Sequence, residues 1–215
     1  MENFQNSISL SQLQSELQKR LSVPYRWTTR QNDDHDGLTN FIYKSFQYDE
    51  VLKMIYQLTD NKKNELFNYA INRWYNFWSA KGCEAIFCNC EGVQAAPNEK
   101  DRLKDFCIKG IPFDHKTSVF PKQYGQSYQF AREHPDDLSH WLYCQQSQEM
   151  RKHYGNRLFI VLYRHDGEHW KLKCNFSLLR SKIKDYVAHF DAQHLIQHSY
   201  IQNSTTYSDI IWVEE

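Results

Sequence analysis

Glycine and proline are scarce in this 215-residue chain, 7 and 5 respectively, which excludes fibrous and low-complexity classes. Neither sign of charge is in excess: Lys+Arg and Asp+Glu stand at 26 each. The chain therefore lacks the global basic field of many nucleic-acid binders, although a local basic groove remains compatible with neutrality. No apolar run approaches the length that crosses a bilayer. The N-terminal MENFQNSISLSQLQ has no basic segment followed by an apolar stretch, so it does not read as a secretory signal. A soluble cytoplasmic protein is expected. Internal repeats and evident linkers are also lacking, and a single domain over 1–215 is the expectation.

Cysteine is present but not in metal-binding order. Cys83, Cys88, Cys90, Cys107, Cys144 and Cys174 include one close pair, and a zinc site needs a second. Reduced, partly buried thiols are expected in a chain of this kind.

What the chain does have is aromatic residues, 14 Tyr, 13 Phe and 6 Trp within a 40% hydrophobic composition, enough for a substantial core. Leu10, Leu13, Leu17 and Leu21 form a helical stripe over 7–22, with Ser7 or Ser9 as cap. PYRWTTRQNDDHDGLTN reads as loop, with Asp33, Asp34, His35 and Asp36 as a solvated acidic turn. Amphipathic helices are predicted over 46–58 and 62–80, the second stopping near Gly82. EAIFCNC, RLKDFCI and IPFDHKTS then read as three strands, the first holding Cys88 and Cys90 on one face. A loop and helix follow, then RLFIVLYR as a buried central strand, HWKLKCNF as a further strand, and LLRSKIKDYVAHFDAQHL as a helix. DIIWVEE closes the sequence as an edge strand. The order predicts an α/β fold: a mixed β-sheet flanked by helices, with an N-terminal helical extension over 1–60, a core over 62–165 and C-terminal elements over 166–215.

The most informative stretch is KDFCIKGIPFDHKTSVFP, residues 104–121. Taking Lys109-Gly110 as a two-residue hairpin turn, with Gly at a positive-φ position, pairs Ile108 with Ile111, Cys107 with Pro112, Phe106 with Phe113 and Asp105 with Asp114. Cys107–Pro112 then falls at a non-hydrogen-bonded position, so the proline removes no ladder bond. The same register sets two carboxylates opposite each other, with Cβ atoms about 4.5–5.5 Å apart, where like charges destabilise. A divalent cation reverses that sign, since Mg²⁺ takes a few carboxylate oxygens plus water. Lys116 projects from the Asp114 face and can balance charge near a phosphate. His115 faces the other way and offers only its backbone carbonyl. A one-residue bulge would break the pairing. An exposed hairpin with a lysine bridging two aspartates fits the same D-x8-D-x-K pattern.

DFCIKGIPFDHKTS resembles motifs II and III of the PD-(D/E)XK nuclease superfamily, the restriction-endonuclease-like fold. Asp105 matches the first acid, Asp114 the second and Lys116 the lysine; Lys104 stands where that family often has proline. The resemblance covers roughly residues 62–165, including a helix before the hairpin and a helix and strand after it. It implies a Mg²⁺-dependent endonuclease cleaving phosphodiester bonds in DNA, with Mn²⁺ able to substitute, in a restriction or mobile-element defence context. Asp105, Asp114 and the His115 carbonyl would hold the metal, and Lys116 would help activate water. The family's additional glutamate corresponds to Glu84, or to Glu65 earlier on the predicted helix. Gln146 and Arg151, with Gln145, fall where relatives contact phosphate or metal, though an exposed polar helix face accounts for them better. Lys122, Arg132, Arg151, Lys152 and Arg157 could form a basic rim for a backbone. DNA is preferred over RNA only through the resemblance, and a homodimer would suit duplex cutting. The alternatives are a catalytically inactive nucleic-acid-binding or interaction module on the same fold, and an unrelated α/β interaction protein.

Overall fold

The computed structural model describes residues 9–27, 33–58, 60–97, 104–145, 154–202 and 204–215. The chain forms two compact units, one of 1–83 with 173–176 and one of 84–172 with 177–215.

The first unit is helical. α1 (Leu10–Lys19) starts at Ser9, whose hydroxyl accepts from the Gln12 N–H while the Gln12 side chain reaches back to the Ser9 N–H, a reciprocal capping box. α2 (Asp33–Thr39) occupies part of the segment expected as loop, with Asp33, Asp34 and Asp36 in its first turn, where the helix dipole favours negative charge. Asp36 is no solvated acid: it pairs with Arg73 Nε at 3.1 Å and accepts from the Tyr69 hydroxyl at 2.5 Å. α3 (Tyr48–Tyr56) and α4 (Asp60–Cys88) carry the core residues Val51, Ile55, Leu66, Tyr69, Trp74 and Trp78.

α4 runs on through the segment expected as a strand, so Cys88 is its last residue and EAIFCNC is not extended. Gly82 is not a stop either. A Cβ there would lie 2.2 Å from Phe176 Cζ, so the glycine makes room for a ring inside a continuous helix. Likewise HWKLKCNF is not a strand: His169–Cys174 forms a 3₁₀ helix.

The second unit is built on a six-stranded sheet in the order β1-β2-β3-β4-β6-β5. The strands are β1 (Val93–Ala95), β2 (Phe106–Ile108), β3 (Ile111–Val119), β4 (Arg157–Tyr163), β5 (Ile196–Ile201) and β6 (Ser204–Glu214). β3, β4 and β6 run parallel; β1–β2, β2–β3 and β5–β6 are antiparallel. This is a mixed α/β architecture, as the element order predicts. β4 is the buried strand anticipated from RLFIVLY, its six residues from Arg157 to Leu162 all buried. β6, which takes in all of DIIWVEE but its last residue, is internal rather than an edge; β5 takes the edge.

α5 (Tyr128–Glu133) and α6 (Pro135–Gln145) lie in the β3–β4 crossover, and α7 (Phe176–Ala188) between β4 and β5. Side chains alternate across the sheet. Phe159, Val161 and Ile210 join Ala131, Leu138, Leu142 and Tyr143 on the α5/α6 face. On the opposite face Phe113 meets Phe190 just past α7, and Phe87 from the last turn of α4 stacks on Phe106 at 4.3 Å.

Candidate functional site

The β2–β3 hairpin turns as its sequence predicts. Lys109 and Gly110 both have positive φ, 47° and 84°, the combination of a type I′ turn, whose twist matches that of paired strands. The register is also the expected one: Ile108 pairs with Ile111, Cys107 with Pro112 and Phe106 with Phe113. The otherwise unfavourable lysine is held by a 2.8 Å bond from its Nζ to the Phe190 carbonyl.

One residue further along, the expected pairing fails. The Asp105 N–H donates to the Phe113 carbonyl at 2.8 Å, although Phe113 is already the partner of Phe106. Two residues of one strand thus oppose one of the other, which defines a bulge and cancels one step of face alternation. Asp105 therefore shares the face of Phe106, Phe113 and His115 rather than that of Asp114. Its Oδ2 accepts from the His115 N–H at 2.8 Å and lies 2.7 Å from His115 Nδ1. The opposed pair of carboxylates is not formed, because the bulge turns one of them away.

Asp114 lies on the other face. Its N–H donates to the Asn156 carbonyl at 3.0 Å, at the start of the parallel pairing with β4. The Asn156 side chain donates to the Pro112 carbonyl and accepts from the Tyr207 N–H, tying the beginnings of β3, β4 and β6 together. Asp114 Oδ1 meets Lys116 Nζ at 2.6 Å and Oδ2 meets Arg157 Nε at 3.4 Å. The Arg157 guanidinium in turn lies 5.0 Å from the Tyr143 ring centre. Lys116 is thus on the Asp114 face, as strand periodicity requires, and its side chain is 42% exposed against 13% for Asp114.

Burial pushes the Asp105 carboxyl up, but the His115 ring, the His115 N–H and the charge of Lys116 more than offset it and hold the group below the usual carboxylate range. The Lys116 ammonium therefore acts on both acids of D-x8-D-x-K. An ionised Asp105 is an acceptor only, so His115 Nδ1 must carry the hydrogen, leaving Nε2 to accept unless the ring is protonated. That Nε2 is buried without a partner, in a ring 4% exposed that lies 5.9 Å from Phe106 and 6.0 Å from Phe87. Contrary to the expectation of a backbone-only role, the His115 side chain is the principal partner of Asp105.

The remaining candidates are placed as follows. Glu84 is buried in α4, one turn before Phe87, not at the start of a strand. Glu65 is on the same helix, and its side chain lies outside the described residues. Gln145 ends α6, while Gln146, Arg151 and Lys152 lie outside the described residues. Lys122 is in a 3₁₀ turn after β3 and Arg132 in α5, so neither adjoins Asp114 in the sheet. The participants that sequence reasoning passed over are Asn156 and the ring of His115, with Arg157 noted only as a rim charge. Arg157 had one signal, a charged residue opening the buried run RLFIVLY.

Two carboxylates and a carbonyl make the hard-oxygen donor set that suits Mg²⁺. In this arrangement the carboxylates are divided between two faces, and among the described residues no three His, Cys, Asp or Glu side chains converge on one point. The residues as arranged do not fit the cation. Among the described residues, too, no helix is long and apolar enough to cross a membrane. Comparisons of the chain with family models, with curated proteins and with solved structures found no match.

Proposed function

We propose that the β2–β3 hairpin is the site of a metal-dependent endonuclease that hydrolyses DNA on a restriction-endonuclease-like fold. The observation that carries this reading is the 2.6 Å approach of Lys116 Nζ to Asp114 Oδ1, with the same ammonium also lowering the Asp105 carboxyl. One half-exposed cation thus serves both acids of the motif, on a strand flanked by helices in the order the nuclease resemblance requires. Phosphodiester hydrolysis gathers negative charge on the non-bridging oxygens, and a fixed ammonium is the group that stabilises it. Asp114 orients Lys116, while Arg157 holds the second oxygen of Asp114 and sets the carboxylate plane. Roles are assigned to these side chains alone, since the Mg²⁺ or Mn²⁺ of the family has no formed seat among them.

The test is nicking of supercoiled plasmid with Mg²⁺ or Mn²⁺. Wild type nicks, and Asp114→Ala and Lys116→Ala each lose roughly a hundredfold or more. Nicking that ignores both substitutions overturns the assignment.

A second reading, a catalytically inactive nucleic-acid-binding or interaction module, has its own observation in favour. Both oxygens of Asp114 face protein cations and Asp105 is engaged by His115, a closed set of charges that needs no metal to be stable. This reading expects salt-sensitive binding of DNA without nicking.

A further inference from the structure

A cleft of about 630 Å³ opens between α5 and the ends of β4 and β6. These are the carboxyl ends of adjacent parallel strands, outside which open α/β sheets take their ligands. Tyr163 and Glu214 pair at the last rung of β4 and β6. The Tyr163 ring stacks on that of Tyr128 at 3.8 Å, with the planes 6° apart. In α5, whose sequence is YQFARE, residues four apart stand one above the other. Arg132 thus reaches the Tyr128 hydroxyl at 3.5 Å, and Glu133 accepts from the Gln129 side chain at 2.6 Å. The Arg132 guanidinium also lies 5.2 Å from the Trp212 ring centre. Across the cleft, Glu214 Oε2 accepts from the same Tyr128 hydroxyl at 3.1 Å, and Oε1 lies 3.4 Å from His165 Nε2. Among the described residues neither Arg132 nor Glu133 has an ion-pair partner.

We propose that this cleft binds a free α-amino acid with a cationic side chain. Arg132 and Glu214 meet at one phenol oxygen instead of pairing with each other, so two opposite charges stand side by side. An amino acid carries the same arrangement, its carboxylate and ammonium being attached to one carbon. The carboxylate takes the forked guanidinium of Arg132, which the Trp212 ring already orients. The ammonium goes to Glu214. Glu133, on the neighbouring row of α5, receives the side-chain cation with the oxygen that Gln129 does not use. The charges also balance. Arg132 against Glu133 and Glu214 leaves the cleft one negative charge in excess, with His165 counted as neutral, and the ligand brings one negative and two positive. A nucleotide would set its phosphate among more carboxylates than guanidinium groups. The size suits such a molecule, since small-ligand sites occupy roughly 300–1,000 Å³. The proposal is independent of the nuclease reading, because Asp114 and Arg157 stand at the starts of their strands and Tyr163 at the end of β4.

The experiment uses the intact chain and three probes at millimolar concentration, followed through its backbone amide resonances by NMR. L-Arginine carries all three charges, agmatine lacks the carboxylate, and L-norleucine lacks the side-chain cation. L-Arginine is expected to give saturating shifts confined to α5 and the ends of β4 and β6. Agmatine and L-norleucine should each bind roughly tenfold more weakly or worse. Arg132 and Glu133 are exposed, so their replacement leaves the core intact. Arg132→Met should weaken L-arginine roughly tenfold and leave agmatine unchanged. Glu133→Gln should weaken L-arginine to a similar degree and leave L-norleucine unchanged. Equal affinity for L-arginine and either analogue overturns the proposal, as does an Arg132→Met that weakens L-arginine and agmatine alike. Shifts that do not saturate, that lie elsewhere, or that never appear overturn it too.

Discussion

Asp105 and His115 are joined twice, by the His115 N–H at 2.8 Å and the His115 Nδ1 at 2.7 Å, both to Asp105 Oδ2. This pair, rather than Asp105 with Asp114, closes the open end of the hairpin. It also depresses the Asp105 carboxyl, because the ring's bond and charge, the backbone N–H and Lys116 together outweigh the upward push of burial. A carboxyl depressed in the folded state stabilises the protein above its unfolded pKa, and that contribution is lost as pH falls through the folded value. Urea midpoints measured at pH 7 and pH 3 should therefore drop more steeply for wild type than for Asp105→Asn. Parallel drops in the two proteins contradict the pairing.

His198 carries a pH dependence of the same sign in a higher window. Its Nε2 lies 3.0 Å from Ser139 Oγ and 2.9 Å from Ser208 Oγ, in a buried cluster. Burial, aided by His140, lowers its pKa below the ordinary 6.5 despite the opposing field of Asp136. The neutral ring is thus favoured by folding, and its contribution is present above pH 6.5 and lost as pH falls from there towards the folded value. His198→Gln should flatten the loss of stability between about pH 7 and pH 5, as read from thermal midpoints. An unchanged slope counts against the buried neutral ring.

Gly82 tests the continuity of α4. Gly82→Ala raises helix propensity by about 1 kcal/mol in isolation, yet its Cβ would sit 2.2 Å from the Phe176 ring. Overpacking of this kind typically costs about 1–3 kcal/mol, so a net destabilisation in urea unfolding is expected. Gly82→Ala combined with Phe176→Leu should recover part of it. A stabilising Gly82→Ala would mean that the ring does not pack there.

How much of this was legible beforehand follows the range of each interaction. The Lys109-Gly110 turn and its register were readable because a two-residue loop leaves one backbone solution and one pairing. β4 was readable because a run of β-branched and aromatic residues suits a doubly buried strand. The last turns of α4 were not: Ala85 to Cys88 is a short apolar run that a buried strand and a buried helix accommodate alike, and Gly82 mimics a stop signal whose actual cause, the Phe176 ring, is far away in sequence. β5 is short and polar, visible only through its pairing with β6. In the site, the shared face of Asp114 and Lys116 follows from period two alone. The bulge at Asp105 does not, since an extra residue in a strand leaves no compositional mark, and it alone decides which partner that acid finds.

Arg157 should matter more than a surface charge. It is buried, pairs with Asp114 at 3.4 Å and lies over Tyr143. Arg157→Met leaves Asp114 with Lys116 alone and should cost about 3 kcal/mol of stability. In the nuclease account it should also weaken nicking by reorienting Asp114. A loss under about 0.5 kcal/mol with nicking unchanged would reduce it to a bystander.

Nicking of supercoiled plasmid by wild type, Asp114→Ala and Lys116→Ala in Mg²⁺ or Mn²⁺ addresses the heart of the account, the 2.6 Å pair of Lys116 with Asp114. The expected result is nicking by wild type that each substitution lowers roughly a hundredfold or more. Nicking that ignores both substitutions would contradict it.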